Sequence, residues 1–210
     1  MGTDNFELMK EAKEALSGKW FLAIIAFIIY ALIISVFPSF FRDSFGSIIS
    51  IIIGGPIMLG VASFYLSIAR GEQAEINQLF SGFNRFVPAF ITYVMVFLII
   101  MGGMILLIIP GVIAALGLAM TFYIMRDDEH ISGLNAIKKS WAMMDGYKMK
   151  LFILTLIFLG LGILCILTLG IGFLFLGPFA EVCLAKFYDD INGLSFEIDE
   201  IGEVSQDSFV

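Results

Sequence analysis

Residues 86–125 read FVPAFITYVMVFLIIMGGMILLIIPGVIAALGLAMTFYIM, forty positions between Arg85 and Arg126 without one ionisable acid or base. A single membrane crossing needs about 20 apolar residues, so this run has the length for two crossings joined by a tight turn. A soluble core helix of this length would carry a polar stripe at helical period, and none is present. The turn falls between Gly102 and Gly111, where Gly102-Gly103 and Pro110-Gly111 are the chain-reversing dipeptides. The stretch is read as a transmembrane hairpin with its tip at the lipid boundary.

Three further charge-free windows, 20–41, 44–69 and 151–180, extend the pattern. The first two have the length for one crossing each and the third for a hairpin, giving six spans in an all-α polytopic membrane protein. Hydrophobic residues make up 60% of the chain and charged ones 15%, against about 45–50% and 25% in soluble domains. Basic residues set the orientation. With six spans, Lys10, Lys13, Lys19, Arg70, Arg85, Arg126, Lys138, Lys139, Lys148, Lys150 and Lys186 share one side and only Arg42 lies opposite. The positive-inside rule then places both termini in the cytoplasm. No cleavable signal peptide is read at the N-terminus, and Phe6 stands where a myristoylation motif needs a hydroxyl residue.

The net charge of −7 comes wholly from the C-terminal end: Asp189, Asp190, Glu197, Asp199, Glu200, Glu203 and Asp207, with no basic residue after Lys186. Residues 193–210 are expected to form a solvated, flexible acidic tail, repelled by anionic lipid. A nucleic-acid role would require a clustered basic footprint, and there is none.

A shorter pattern repeats. Asp4 with Glu7 forms a capping-box arrangement, followed by a stripe of Phe6, Met9, Ala12 or Lys13, and Leu16 at helical spacing, then Ser17-Gly18 and Lys19-Trp20. The plan returns as Ile76, Leu79, Phe80 and Phe83 with Ser81-Gly82 and Arg85. It returns again as Leu134, Ile137, Trp141 and Met144 with Asp145-Gly146 and Lys148. Gly18, Gly82 and Gly146 are each 64 residues apart and are read as left-handed helix stops. Gly55-Pro56, Pro110-Gly111 and Gly177-Pro178 mark a kinked second span in each unit. Phe64-Tyr65, Phe122-Tyr123 and Phe187-Tyr188 mark its exit. The chain is therefore expected to be one membrane domain, 1–192, of three parallel hairpin repeats (about 4–72, 73–129 and 130–192). Each repeat is preceded by an interfacial amphipathic helix.

Several of these segments carry a resemblance: Ala15-Leu16-Ser17-Gly18-Lys19-Trp20, Leu79-Phe80-Ser81-Gly82-Phe83, Leu107-Ile108-Ile109-Pro110-Gly111, Ala136-Ile137-Lys138-Lys139-Ser140-Trp141, Met144-Asp145-Gly146-Tyr147-Lys148 and Ala185-Lys186-Phe187-Tyr188. In this order they resemble the bacterial integral membrane family catalogued as domain of unknown function 975. More distantly they are similar to the membrane domain sometimes joined to glycerophosphodiester phosphodiesterases. The resemblance covers about residues 6–192. It implies a six-span protein of the bacterial cytoplasmic membrane and lends no catalytic residues.

Candidate chemistry is sparse. Glu181 is an acid inside the sixth span, where a central charge costs about 2.5–3.5 kcal/mol to insert. It is read either as an ion, proton or amine-headgroup contact or as an acid that reaches the interface. Lys19, Arg85, Lys148 and Lys150, at the span entrances, are candidate lipid-phosphate contacts, with simple interfacial anchoring as the plainer reading. Pro56, Pro110 and Pro178 are helix kinks. His130 stands in Asp127-Asp128-Glu129-His130, but one histidine beside acids at a helix start makes no metal motif. Asp189-Asp190-Ile191-Asn192-Gly193 fails the anchor positions of a calcium loop. Cys165 and Cys183 are read as small buried hydrophobes. No span holds a nucleophile–base pair, an acid pair or a metal set, so neither enzyme activity nor a cofactor is expected. The expectation is a non-enzymatic inner-membrane protein that binds lipids or a membrane partner in envelope homeostasis or protection. The alternative is a small transporter or channel using Glu181.

Overall fold

The structure, a computed structural model, describes residues 3–36, 44–167 and 170–207, with the side chains of 36, 44–47 and 194–207 outside that description. Arg42 and the side chains of the tail acids from Glu197 onward, which bear on the orientation and tail readings, thus lie outside the described residues. Every element among the described residues is helical. In chain order they are α1 (Asn5–Ala15), α2 (Trp20–Ala31) with a π turn at Leu32–Val36, α3 (Ser44–Ala69) and a 3₁₀ helix at Ile76–Arg85. Then follow α4 (Phe86–Leu106), α5 (Ile108–Gly117), α6 (Thr121–Asp127), α7 (Gly133–Met143), α8 (Lys148–Leu167) and α9 (Phe173–Asp207).

Four helical stretches are long and apolar enough to cross a membrane: Ile48–Ala69, Ile76–Leu106, Ile108–Asp127 and Lys148–Leu167. α1 and α2 bend by 101° against each other and meet that criterion only as a pair. α9 carries Glu181, Lys186, Asp189 and Asp190 in its first half, too many charges to meet it.

The helices sort into an inner and an outer set. In its most apolar window, α3 is 56% buried within the protein, as is the α5–α6 stretch; for α4 and α8 the figure is 11%. The two barely buried stretches are also the more apolar. Water as solvent would demand the opposite ordering; hydrocarbon permits this one.

The three Phe-Tyr pairs converge in the inner set. Phe64, Tyr65, Phe187 and Tyr188 are almost wholly buried, with Phe122 and Tyr123 close behind. Tyr123 stacks on Tyr188 with ring centroids 5.4 Å apart, and the Tyr65 hydroxyl donates to the Ala23 carbonyl of α2.

Close helix crossings depend on glycine. A Cβ on Gly60 would stand 1.9 Å from the Leu79 carbonyl oxygen, and one on Gly55 2.3 Å from that of Ala89. Gly82, read from its spacing as a left-handed stop, is instead such a contact: its Cβ would lie 2.0 Å from the Pro56 carbonyl oxygen. The helical stretch runs through it unbroken from Ile76 to Leu106. Gly18 (φ 76°) and Gly146 (φ 78°) do adopt the left-handed conformation. The three equally spaced glycines therefore do two different jobs.

The hairpin reverses at Leu107, between the two candidate dipeptides. This residue is extended (φ −163°, ψ 149°) between α4 and α5. Gly103 and Gly111 face each other across the return, a Cβ on the first lying 2.9 Å from the Cα of the second. Pro110 falls in the first turn of α5, where its missing N–H has no intrahelical partner to lose; it starts a helix and does not kink one. Pro56 and Pro178 sit inside α3 and α9.

The phase of the first surface stripe also differs from the expectation. α1 buries Asn5, Leu8 and Ala12 against the body, with Leu16 just beyond, and leaves Phe6 71% exposed. The Asp4 carboxylate caps α1 by accepting from the Asn5 amide at 2.8 Å.

Candidate functional site: a polar cavity at the charged end

Polar side chains gather at one end of the bundle, where α3 and α6 finish and where α4 and α8 begin. Arg70, just past α3, reaches both neighbouring exits. Its guanidinium donates to the Asp127 carboxylate through Nη1 (2.8 Å) and Nη2 (2.7 Å), and to Asp189 through Nε (3.0 Å) and Nη2 (2.7 Å). The Tyr188 hydroxyl donates to Asp127 at 2.9 Å, and Arg126 joins Asp127 to Glu72. Forked, charge-assisted bonds of this kind fix position as well as energy. They tie the ends of α3 and α6 to the middle of α9.

The four bases chosen from the sequence all have partners within the protein. Lys19 Nζ donates to the Glu72 carbonyl at 2.9 Å. Arg85 donates to the carbonyls of Met125 (2.6 Å), Asp128 (3.3 Å) and Ile131 (3.2 Å), closing the end of α6. Lys150 Nζ pairs with Asp190 at 2.7 Å, and Lys148 Nζ lies 4.6 Å from the centre of the Trp141 ring. Lys19 and Arg85 thus reach the chain at or just past the ends of α3 and α6, and Lys150 reaches the middle of α9.

Asp190 also accepts from the Thr3 amide (3.0 Å) and hydroxyl, and Asn5 Nδ2 donates to the Lys150 carbonyl at 3.1 Å. These contacts fasten the N-terminus to α8 and α9. Burial alone would raise the Asp190 carboxyl, but its bonds from Lys150 and Thr3 outweigh that and hold it below the usual carboxylate range.

Glu181 lies half-buried on α9. No described residue hydrogen-bonds or ion-pairs with its carboxylate.

The acids beside His130 go separate ways: Asp127 to the arginines, Asp128 to the His130 amide at 3.0 Å, and Glu129 to the wall of a cavity.

That cavity, of about 520 Å³, lies between α3, the 3₁₀ helix and the end of α6. Leu59, Ser63 and Ser67 line it from one face of α3, Gln78, Ser81, Asn84 and Arg85 from the 3₁₀ helix, and Met125, Arg126 and Glu129 from the far side. Of these, only Arg85 was a candidate from sequence. The i, i+4 repetition of Ser63 and Ser67 within an otherwise apolar helix is the signal that could have pointed here. Gln78 Oε1 is buried and accepts no hydrogen bond.

A family model described as a protein of unknown function, DUF975, matches residues 1–107 and 93–195. The chain belongs to the DUF975 family. Neither a curated protein nor a solved structure matches it. The DUF975 match spans both the cavity and the ion-pair cluster, and it assigns no chemistry to either.

Proposed function

We propose that this DUF975 protein is a non-enzymatic, six-span protein of the bacterial cytoplasmic membrane that binds lipid headgroups in the cavity at its charged end. The two further crossings are the stretch from Trp20 through the π turn and the start of α9, which continues past Glu181 to Phe187. The charged end with both termini faces the cytoplasm, and the three units run parallel, each led by an interfacial helix. The observation that carries the reading is the depth of the cavity. It lies at the level where α4 enters its apolar run at Arg85-Phe86 and α6 leaves its own at Met125-Arg126. That is headgroup depth for any bilayer covering the apolar surface of α4 and α8. Its walls match, with Leu59 and Met125 apolar and the serines, Asn84 and Glu129 polar.

Native mass spectrometry of protein released from membranes tests this. Phospholipid adducts should survive on the wild type and be lost from Ser63→Trp, which fills the cavity; adducts unaffected by that change reject the site. Topology is checked separately. Protease added outside intact cells should leave the C-terminal tail uncut, while a cysteine at Leu107 should react with an impermeant reagent.

A second reading is favoured by the half-buried Glu181 carboxylate, which no described residue hydrogen-bonds or ion-pairs: a small transporter using that acid. A pH-dependent flux in proteoliposomes, abolished by Glu181→Gln, would support it. An absence of solute or ion flux leaves the binding reading.

A further inference from the structure

At the corner where α7 gives way to α8, two apolar grooves open outward beside a tryptophan. The first, of about 270 Å³, lies between Ile99 of α4, Leu118, and Ile137, Lys138 and Trp141 of α7. The second, of about 380 Å³, lies between Ile109, Ile113 and Leu116 of α5 and Lys148, Met149 and Phe152 of α8. The Trp141 indole stands between them. It lies against Gly117, where a Cβ would be 2.6 Å from the ring, and Leu116 and Leu118 on either side of that glycine line one groove each. The Ser140 hydroxyl holds α7 in place by donating to the Gly117 carbonyl at 2.9 Å.

Each groove has one ionisable residue in its wall, and in both it is a lysine. Lys138 is exposed and makes no hydrogen bond or ion pair among the described residues; Lys139 is exposed beside it. Lys148 Nζ lies 4.6 Å from the centre of the Trp141 ring and 3.6 Å from Asp145. That carboxylate is 89% exposed, so water screens it. The other acids of this segment, Asp127, Asp128 and Glu129, precede the opposite end of α7. The corner therefore offers ammonium donors in excess over one solvated carboxylate, and a phosphate diester supplies the acceptors they lack. A soluble phosphate would meet the lysines and leave the grooves bare, with Ile99, Ile109 and Met149 exposed. Lysine and tryptophan together mark the headgroup boundary, and acyl chains cover what lies beyond it. A zwitterionic lipid brings a further cation to this corner; an anionic one does not.

We propose that the α7–α8 corner holds an anionic diacyl phospholipid, its phosphate between Lys138 and Lys148 and one acyl chain in each groove beside Trp141. The inference rests on the bilayer placement proposed above and makes no use of the polar cavity, so either lipid site can fail without the other.

The chain has two tryptophans, and Trp20→Phe leaves Trp141 as the reporter. Full-length Trp20→Phe protein is reconstituted in vesicles of phosphatidylcholine and phosphatidylglycerol, with bromine on the chains of one lipid and then of the other. Bromine quenches indole fluorescence on contact, so the two series give the relative occupancy beside Trp141. Two lysines less one carboxylate leave one net basic contact, which should enrich phosphatidylglycerol about fivefold over its share of the bilayer. Lys138→Gln combined with Lys148→Gln should bring it to parity, with a monodisperse peak in size-exclusion chromatography showing that the variant is folded. The Trp141→Phe protein reports instead from Trp20, in a groove whose walls carry no ionisable residue, and should show parity throughout.

Quenching at Trp141 that follows bulk composition overturns the site. So does an excess of phosphatidylglycerol that survives the double lysine variant, or an equal excess at Trp20. Quenching by neither lipid overturns it together with the placement of this corner in the bilayer.

Discussion

α3 and α8 are both apolar helices of full membrane length, and they obey different rules. α3 is crossed by other backbone at Gly55 and Gly60 and buries most of its second half, with Met58 the exposed exception. α8 has open space around Gly160 and exposes Leu156, Leu159, Ile163 and Leu164. Their composition differs in the same sense, α3 carrying the serines and more of the glycines and α8 the more apolar run. α3 is solvated by protein and is sensitive to volume. α8 faces outward and, on the membrane reading, is sensitive to polarity.

Matched substitutions should break that comparison if it is wrong. Gly60→Val should cost more than about 3 kcal/mol, because backbone on both sides leaves nothing to yield, and the variant should be lost from the monodisperse peak in size-exclusion chromatography. Gly160→Val on α8 should change thermal unfolding by less than about 0.5 kcal/mol. Equal tolerance at both sites would remove the inner–outer distinction.

The converse change sharpens it. Leu159→Asp places a charge near the middle of α8 and should cost about 3 kcal/mol of membrane insertion. A fall in the membrane-inserted fraction in a glycosylation-reporter assay is the readout, and full insertion would argue against α8 as a lipid-facing span.

A third test moves to the charged end. Asp127→Asn removes the charge shared by Arg70, Arg126 and the Tyr188 hydroxyl. At these half-exposed groups it should destabilise by about 2 kcal/mol in thermal unfolding.

The smallest effect depends on pH. The folded-state value of Asp190 is lowered, so its contribution is complete above the ordinary carboxylate value of about 3.9 and disappears as pH falls through the folded-state value. The stability gap between wild type and Asp190→Asn, about 1 kcal/mol near neutrality, should hold down to roughly pH 4 and close below it. A gap that closes near pH 6 would mean that another group is responsible.

Much of this was legible in the residues. The run from Phe86 to Met125 yields two long helices with a reversal inside the expected interval, because a charge-free run of that length is a local property. The six-fold count was less secure. The helices at Trp20 and Phe173 are interrupted by a π turn and by charge, and length alone does not carry them. Gly82 was misread because its spacing matched Gly18 and Gly146, whereas its role is set by Pro56 on another helix. The four entrance bases were chosen for their position and turn out to hold the protein's own carbonyls and carboxylates.

The residues alone determined the solvent preference and the helical class, since a backbone without water must satisfy its hydrogen bonds within each segment, and composition reports this position by position. Only the tertiary structure decided where the polar cavity lies. It is bounded by α3, the 3₁₀ helix and the end of α6, and its walls come together only when these helices pack. No single segment carries that information, because a hydrogen bond between Arg85 and Ile131 exists only once the helices have packed.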